Sequence, residues 1–326
     1  PARELVDGVL CRYIQRGWGY GNWRLAMGIP LWILRALVRL AFVENGLVYA
    51  LDLDSALPAA IATRIRGLPF IYDIRDNYAL RHNWPSPLRW LIEKLDLWVM
   101  RSAALIIVVD DNRIVGSIEH FRSKVLVLYN CPVDVPPPAK AFQPRPFTLL
   151  ASGHLGSERG IGFLLDAIER IPTARVLMAG RFIEPWLKKR AITHPQVEFR
   201  GWVDQREAWR MCHEADVIFA FYDPSTEINR KAASNKWFDA MMAGKPIIAN
   251  CELEKASWIE QQGIGYLCPY GDIEALADCI KYIAAHPAEA RSKGLKAREL
   301  FESWFNWPRM EQQLLRALED VFGSSK

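Results

Sequence analysis

The chain lacks any closely spaced pair of cysteines. Its six, Cys11, Cys131, Cys212, Cys251, Cys268 and Cys279, are scattered over 326 residues. That spacing excludes a zinc ribbon or a CxxC redox motif, and a reducing, cytoplasmic setting is the simplest reading. A long clean apolar run is missing as well. The most apolar stretch, Leu25 to Val43, is broken by Pro30, Arg35 and Arg39 and falls short of the roughly 20 residues of a spanning helix. The opening PARELVDG carries charge and no apolar segment of signal-peptide type. Charge of one sign is not in excess either: a net +4 is too small to point to nucleic acid. What is present is globular, with 51% hydrophobic and 24% charged residues, in a chain long enough for two cores.

Short β-branched runs alternate with longer helical patterns, the rhythm of α/β domains with parallel sheets. In the first half the spacing predicts strands at Val9–Ile14, Leu47–Leu51, Phe70–Asp73, Leu105–Val109 and Val125–Leu128. Helical patterns lie at Leu31–Phe42, Leu57–Ile65, Leu88–Met100 and Asn112–His120. A Pro-rich stretch from Val133 to Pro146 forbids regular structure and serves as a linker. The rhythm restarts with strands at Phe147–Ala151, Arg175–Ala179, Val197–Gly201, Val217–Phe221, Pro246–Ala249 and Gly265–Cys268. Two late helical patterns, Ala288–Trp304 and Pro308–Val321, are separated by FNWP. The expected organisation is an N-terminal Rossmann-like domain over 1–140, a C-terminal one over 141–306, and a last helix over 307–326 crossing back to the first. Ligands of such folds bind in a cleft between domains.

Two segments carry chemistry. In ASGHLGSERGIGFLLDAI, Ala151–Ile168, a buried strand runs through a glycine-bearing loop into an amphipathic helix. Glycines there let backbone N–H groups approach an anion, and the helix N-terminus adds a favourable dipole. An ordinary strand-to-helix turn reads the same way; Arg159 tilts the balance, because a cation in this loop can neutralise a diphosphate. In DPSTEINRKAASNKWFDAMMAGKPIIAN, Asp223–Asn250, Ser234 or Asn235 caps a helix over Lys236–Met242 that Gly244 ends. Asp239, one turn in, is placed to accept hydrogen bonds from a ribose diol, or to act as a solvated acid.

From about Leu47 onward the chain resembles the retaining, family-4 glycosyltransferases of GT-B fold. GHLGSERG at Gly153–Gly160 matches their glycine, basic residue and Glu-Lys-Gly loop; SNKWFDAMMAGKPIIAN matches their acidic-Ala-Met-x-x-Gly-x-Pro segment. VEFRGWVDQREAW, HEADVIFAFYDPS and GIGYLCPYGDIEALADCI fit between and after them. The resemblance implies two Rossmann-like domains, with a nucleotide-diphosphate sugar as donor substrate and no further cofactor. It places the diphosphate on Arg159, Lys236 and the backbone near Gly153, Gly156, Ser234 and Asn235, with His154 beside it and the ribose on Asp239. It further implies transfer with retention to a glycan or lipid-linked acceptor in surface polysaccharide or glycolipid synthesis. No protein nucleophile is needed, since a donor phosphate oxygen helps deprotonate the acceptor, and catalysis is positioning plus electrostatics. No DxD-type cluster stands where a metal would be held; Asp110-Asp111 reads as strand end and cap.

The departures are specific. Asp239 replaces the second acid of the family's two-glutamate motif, and Lys231 stands where the first belongs, with Glu227 a nearby substitute. His154 replaces an arginine, and Arg75, in IYDIRDNYA, stands where relatives put a histidine facing the donor sugar. Arg159, Arg75 and Lys231 are therefore the catalytic candidates. Asp52, Asp54, Asp73 and Asp76 are expected to orient acceptor or cap helices. Relatives open with a strand, glycine-rich loop and helix; this chain is expected to begin after them, either because the sequence is truncated or because the first sheet is reduced and acceptor recognition changed. Trp23–Arg39 and Trp84–Arg101 combine tryptophan with basic residues, a pattern that either covers a sheet or contacts the cytoplasmic leaflet peripherally. A sugar-nucleotide epimerase and a noncatalytic subunit on the same fold are the alternatives.

Overall fold

The computed structural model describes residues 3–6, 8–12, 23–80, 84–137 and 145–323. The last two positions of the expected strand Val9–Ile14, and residues 138–144 of the expected linker, lie outside them. The chain divides into two compact units, Pro1–Leu128 with Leu314–Lys326, and Tyr129–Gln313.

The first unit opens with a hairpin, β1 (Arg3–Val6) and β2 (Val9–Arg12), paired antiparallel with Val6 opposite Val9. The sequence rhythm places residues 9–12 in a parallel sheet; the antiparallel pairing of β1 and β2 instead returns the chain on itself, with Gly8 at φ 82° before β2. Helix α1 (Trp23–Leu40) follows and runs through Pro30, starting earlier than the pattern Leu31–Phe42 indicates. Then β3 (Val48–Leu51), α2 (Asp52–Arg66), β4 (Phe70–Ile74), α3 (Ser86–Ser102), β5 (Leu105–Val108) and β6 (Val125–Val127) build a four-stranded sheet in the order β3-β4-β5-β6, every pair parallel. β5 is buried along its whole length, which is why it reads as a continuous LIIV run rather than an alternation. The expected helix over Asn112–His120 is not formed: two 3₁₀ turns, Asp111–Arg113 and Glu119–Lys124, flank Gly116 at φ 59°. Asp110 caps the first of these by accepting from Asn112 N–H.

The second unit carries β7 (Phe147–Leu155), α4 (Ile161–Ile168), β8 (Ala174–Phe182), α5 (Pro185–Thr193), β9 (Val197–Phe199), α6 (Gln205–Glu214), β10 (Val217–Ala220) and α7 (Glu227–Arg230). It continues through α8 (Asn235–Ala243), β11 (Ile247–Asn250), α9 (Ala256–Gln262), β12 (Gly265–Cys268), α10 (Ile273–Ala285) and α11 (Pro287–Ser303); α12 (Trp307–Gly323) begins in it. Six parallel strands stand in the order β12-β11-β10-β7-β8-β9. The chain therefore builds outward from β7 to one edge, then returns to β10 and builds to the other. The switch point lies between β7 and β10, where carboxyl-terminal loops diverge and leave a crevice. Leu149, Val176, Val217, Phe219 and Ile248 fill the core beneath it.

Candidate donor site

The site is built where β7 and β10 end. β7 and β8 pair as far as Gly153 opposite Gly180 and Leu155 opposite Phe182. Gly180 has φ 137°, and a Cβ there would stand 1.9 Å from the Gly153 carbonyl oxygen. Only glycine lets the two strands run side by side up to the loop. Gly160, at φ 67°, ends the 3₁₀ turn Ser157–Arg159 and starts α4. This short turn places Arg159, four-fifths buried, over the ring of Tyr222 just beyond β10, with the guanidinium carbon 4.4 Å from the ring centroid. Arg159 also donates to Asn229 Oδ1 at 3.1 Å and lies 3.6 Å from a Glu158 carboxylate oxygen.

Lys236, in the first turn of α8, reaches the same ring, with Nζ 5.4 Å from its centroid. A Cβ on Gly153 would come 4.0 Å from that Nζ. Lys236, Arg159, His154 and Ser152 line one small niche at the strand ends. Ser234 is the residue before α8, but its side chain makes no cap; its Oγ accepts the Tyr222 hydroxyl at 2.7 Å. Burial alone would raise the Tyr222 pKa; Lys236 and Arg159 together outweigh it and hold the phenol below its ordinary value.

His154 also lines a second, larger space of about 660 Å³, with Gly180, Arg181, Phe182, Lys188, Phe199, Gly201 and Trp202. Its size is that of a small-ligand pocket, and Trp202 is 74% exposed beside it.

The structure thus brings Gly153, His154, Arg159, Ser234 and Lys236 together. Gly156 packs under Ile183 and Glu184, and Asn235 is exposed at the start of α8. Asp239 is turned toward α6, where its Oδ1 accepts Trp209 Nε1–H at 2.8 Å. Burial there pushes its carboxyl up to about 7, against the opposing effects of Trp209 and Lys236. Lys231 closes an ion pair with Glu227, Nζ to Oε1 2.8 Å. Arg75 belongs to the first unit, exposed after β4, its backbone N–H donating to Asp52 Oδ1 at 3.1 Å. Asp54 does not cap α2, which begins at Asp52. Tyr222, Trp209 and the cleft residues Arg181, Lys188 and Trp202 escape the sequence reading. Tyr222 looks like one more aromatic at the end of a core strand.

Two parallel α/β units of this kind make the GT-B fold of glycosyltransferases, and the comparisons agree. The sucrose-phosphate synthase of Thermosynechococcus elongatus superposes with a TM-score of 0.76 over 99% of this chain and 86% of that one, at 18% identity. Anabaena HepE in complex with UDP-glucose gives 0.67 over 89% and 82%, at 16% identity. Residues 146–286 match the family model described as Glycosyl transferases group 1. The phosphatidyl-myo-inositol mannosyltransferase of Mycobacterium leprae (strain TN) is 27% identical over 183 residues, 53% of this chain and 46% of that protein. The chain spans about half the length of this curated relative.

Proposed function

We propose that the chain transfers a sugar from a nucleoside diphosphate to a glycan or lipid-linked acceptor, with retention at the anomeric carbon. The observation that carries this reading is the convergence of Arg159 and Lys236 on one buried ring at the switch point of the sheet. Two cations held in a niche beside a strand-end loop and a helix start are suited to a pyrophosphate leaving group. His154 borders both the niche, about 10 Å³, and the larger cleft, so a diphosphate lying across the mouth of the niche leads to a nucleoside in the cleft. Phe182, Phe199 and Trp202 offer the base aromatic surfaces. Asp239 spends one acceptor position on Trp209 and retains others for a ribose hydroxyl. Arg75 is assigned to donor sugar or acceptor. Transfer then proceeds by electrostatic stabilisation of the departing diphosphate, a phosphate oxygen taking the acceptor proton.

The Lys231–Glu227 pair, with a lysine where the family resemblance expects an acid, favours one second reading, a noncatalytic subunit that keeps donor binding. Calorimetry with UDP-, GDP- and ADP-sugars tests the donor site, and failure to bind any of them overturns it. Release of nucleoside diphosphate only when a glycan or lipid acceptor is added supports transfer; binding without release in any acceptor mixture supports the noncatalytic reading.

Among the described residues no helix is long and apolar enough to cross a membrane. We assign the acceptor side a peripheral membrane contact on the cytoplasmic leaflet, supported by α1. Its exposed face and exit carry Leu31, Leu34, Val38 and Phe42, interleaved with Arg35 and Arg39.

A further inference from the structure

Tyr222 is held at both ends. Its backbone N–H donates to Asn250 Oδ1 at 2.9 Å, and its hydroxyl donates to Ser234 Oγ at 2.7 Å. Asn250 is itself fully buried at the end of β11 and donates to Glu252 Oε2 at 2.9 Å. Glu252 in turn accepts the Tyr270 N–H at 3.0 Å, and the Tyr270 hydroxyl donates to the Ser157 carbonyl, inside the turn that carries Arg159. The ring is 8% exposed, and it has no freedom to follow the cations; the cations are set by it.

Two like charges do not gather around one point without a reason. A ring quadrupole attracts each by its negative face, and the attraction grows when water is excluded. Each cation has an acid in reach, Arg159 a Glu158 oxygen 3.6 Å away and Lys236 the Asp239 carboxyl, but both also converge on Tyr222, Arg159 over its ring and Lys236 at its ring and hydroxyl. The hydroxyl fixes the start of α8 through Ser234, so one side chain ties together the β7 loop, the β10 exit and the tip of α8.

We propose that Tyr222 is a positioning residue that presets Arg159 and Lys236 as a pair matched to the two phosphoryl groups of the donor. The proposal rests on the donor-site reading above. Tyr222 does not touch the donor; it removes the reorganisation that two long cationic side chains would otherwise undergo on binding.

The test compares the parent with Tyr222→Phe, Tyr222→Met and a protein carrying 3,4,5-trifluorophenylalanine at position 222. UDP, GDP and ADP are titrated by calorimetry, each against its nucleoside. Phenylalanine keeps the ring face but loses the hydroxyl's hold on Ser234 and Lys236, and is expected to bind the preferred diphosphate about threefold more weakly than the parent. The fluorinated ring keeps the shape and cancels the quadrupole; it and methionine are expected to bind diphosphate roughly tenfold more weakly, with nucleoside affinity unchanged. A fluorinated protein that binds diphosphate like the parent, or that loses nucleoside and diphosphate equally, overturns the proposal while leaving the donor site intact. A parent that binds none of the three diphosphates overturns both. Because the fluorinated ring is close to isosteric, its result decides the matter even if Tyr222→Met fails to fold.

Discussion

Of the four basic candidates, Arg75, Arg159, Lys231 and Lys236, the three in the second unit are separated by their partners. Arg159 and Lys236 face a shared niche, whereas Lys231 is neutralised by Glu227 one turn away. A charge-assisted hydrogen bond to a phosphate is worth about 1.5–3 kcal/mol. Arg159→Ala and Lys236→Ala are therefore each expected to weaken nucleoside diphosphate binding roughly 10- to 100-fold, while Lys231→Ala leaves it within about threefold. Calorimetric affinities check this, and equal losses at all three positions would remove the distinction. The cations were legible in the sequence because a basic residue in a glycine loop has an immediate chemical meaning. Tyr222 was not, since its role exists only once β10, the β7 loop and α8 meet. Asp239 was legible as an acid on the right helix, but its bond to Trp209, thirty residues earlier, depends on how α6 packs.

Asp239 also carries a pH dependence whose sign is fixed by its environment. Its folded pKa lies near 7 and its ordinary value at 3.8, so between these values the folded protein holds a proton that the unfolded chain has lost. Stability from this group is complete below about pH 4, declines as pH rises toward 7, and is flat above. Asp239→Asn removes the dependence. Relative to the parent, the asparagine protein should gain on the order of 4 kcal/mol between pH 4 and pH 8, read from urea unfolding at both pH values. A parent and variant that differ by the same amount at each pH would show that the carboxyl titrates normally.

At the scale of elements, the donor loop depends on how far β7 and β8 run together. Their nine-residue register ends at Leu155 and Phe182, well beyond the expected ends at Ala151 and Ala179. Burial drives the first part of each strand, and that part was readable as an apolar run. The extension past Ser152 is set by backbone pairing between Gly153 and Gly180, which hydrophobic patterning does not register. Gly180→Ala would drive a methyl group into the Gly153 carbonyl. The expected outcome is a loss of about 3 kcal/mol, from overpacking and a left-handed backbone together, with nucleoside diphosphate binding lost as the loop moves. Gly162→Ala, with open space around its Cβ, is the matched control and should unfold like the parent in the same titration. The segment Asn112–His120 shows the converse: it has helical composition at either end, but Gly116 in the left-handed region divides it into two turns.

At the scale of the molecule, the two compact units divide between Leu128 and Tyr129, ahead of the Pro-rich stretch at which the strand-helix rhythm of the sequence breaks. What composition concealed is where the charge lies. A net charge of +4 over 326 residues is modest, yet Arg35 and Arg39 stand on one exposed helical face whose remaining members are Leu31, Leu34 and Val38, with Phe42, 80% exposed, at its exit. Spacings of three and four residues put these on one side of α1, and the opposite side already packs on α2. A helix apolar on its packed side and again on its exposed side, with arginines between, suits an interface where chains are buried and guanidinium groups meet lipid phosphate. Attraction of this kind is screened over a Debye length of about 10 Å at 0.1 M salt. The protein is expected to sediment with vesicles containing phosphatidylglycerol at low salt, and less with vesicles of phosphatidylcholine alone. Arg35→Glu with Arg39→Glu should lower the bound fraction severalfold, since each basic residue near an anionic surface contributes about 1 kcal/mol. Phe42→Ser should do the same without changing the salt dependence, because it removes burial and leaves the charge as it is. Equal sedimentation with both kinds of vesicle, or variants indistinguishable from the parent, would return α1 to the role of a helix that merely covers its sheet.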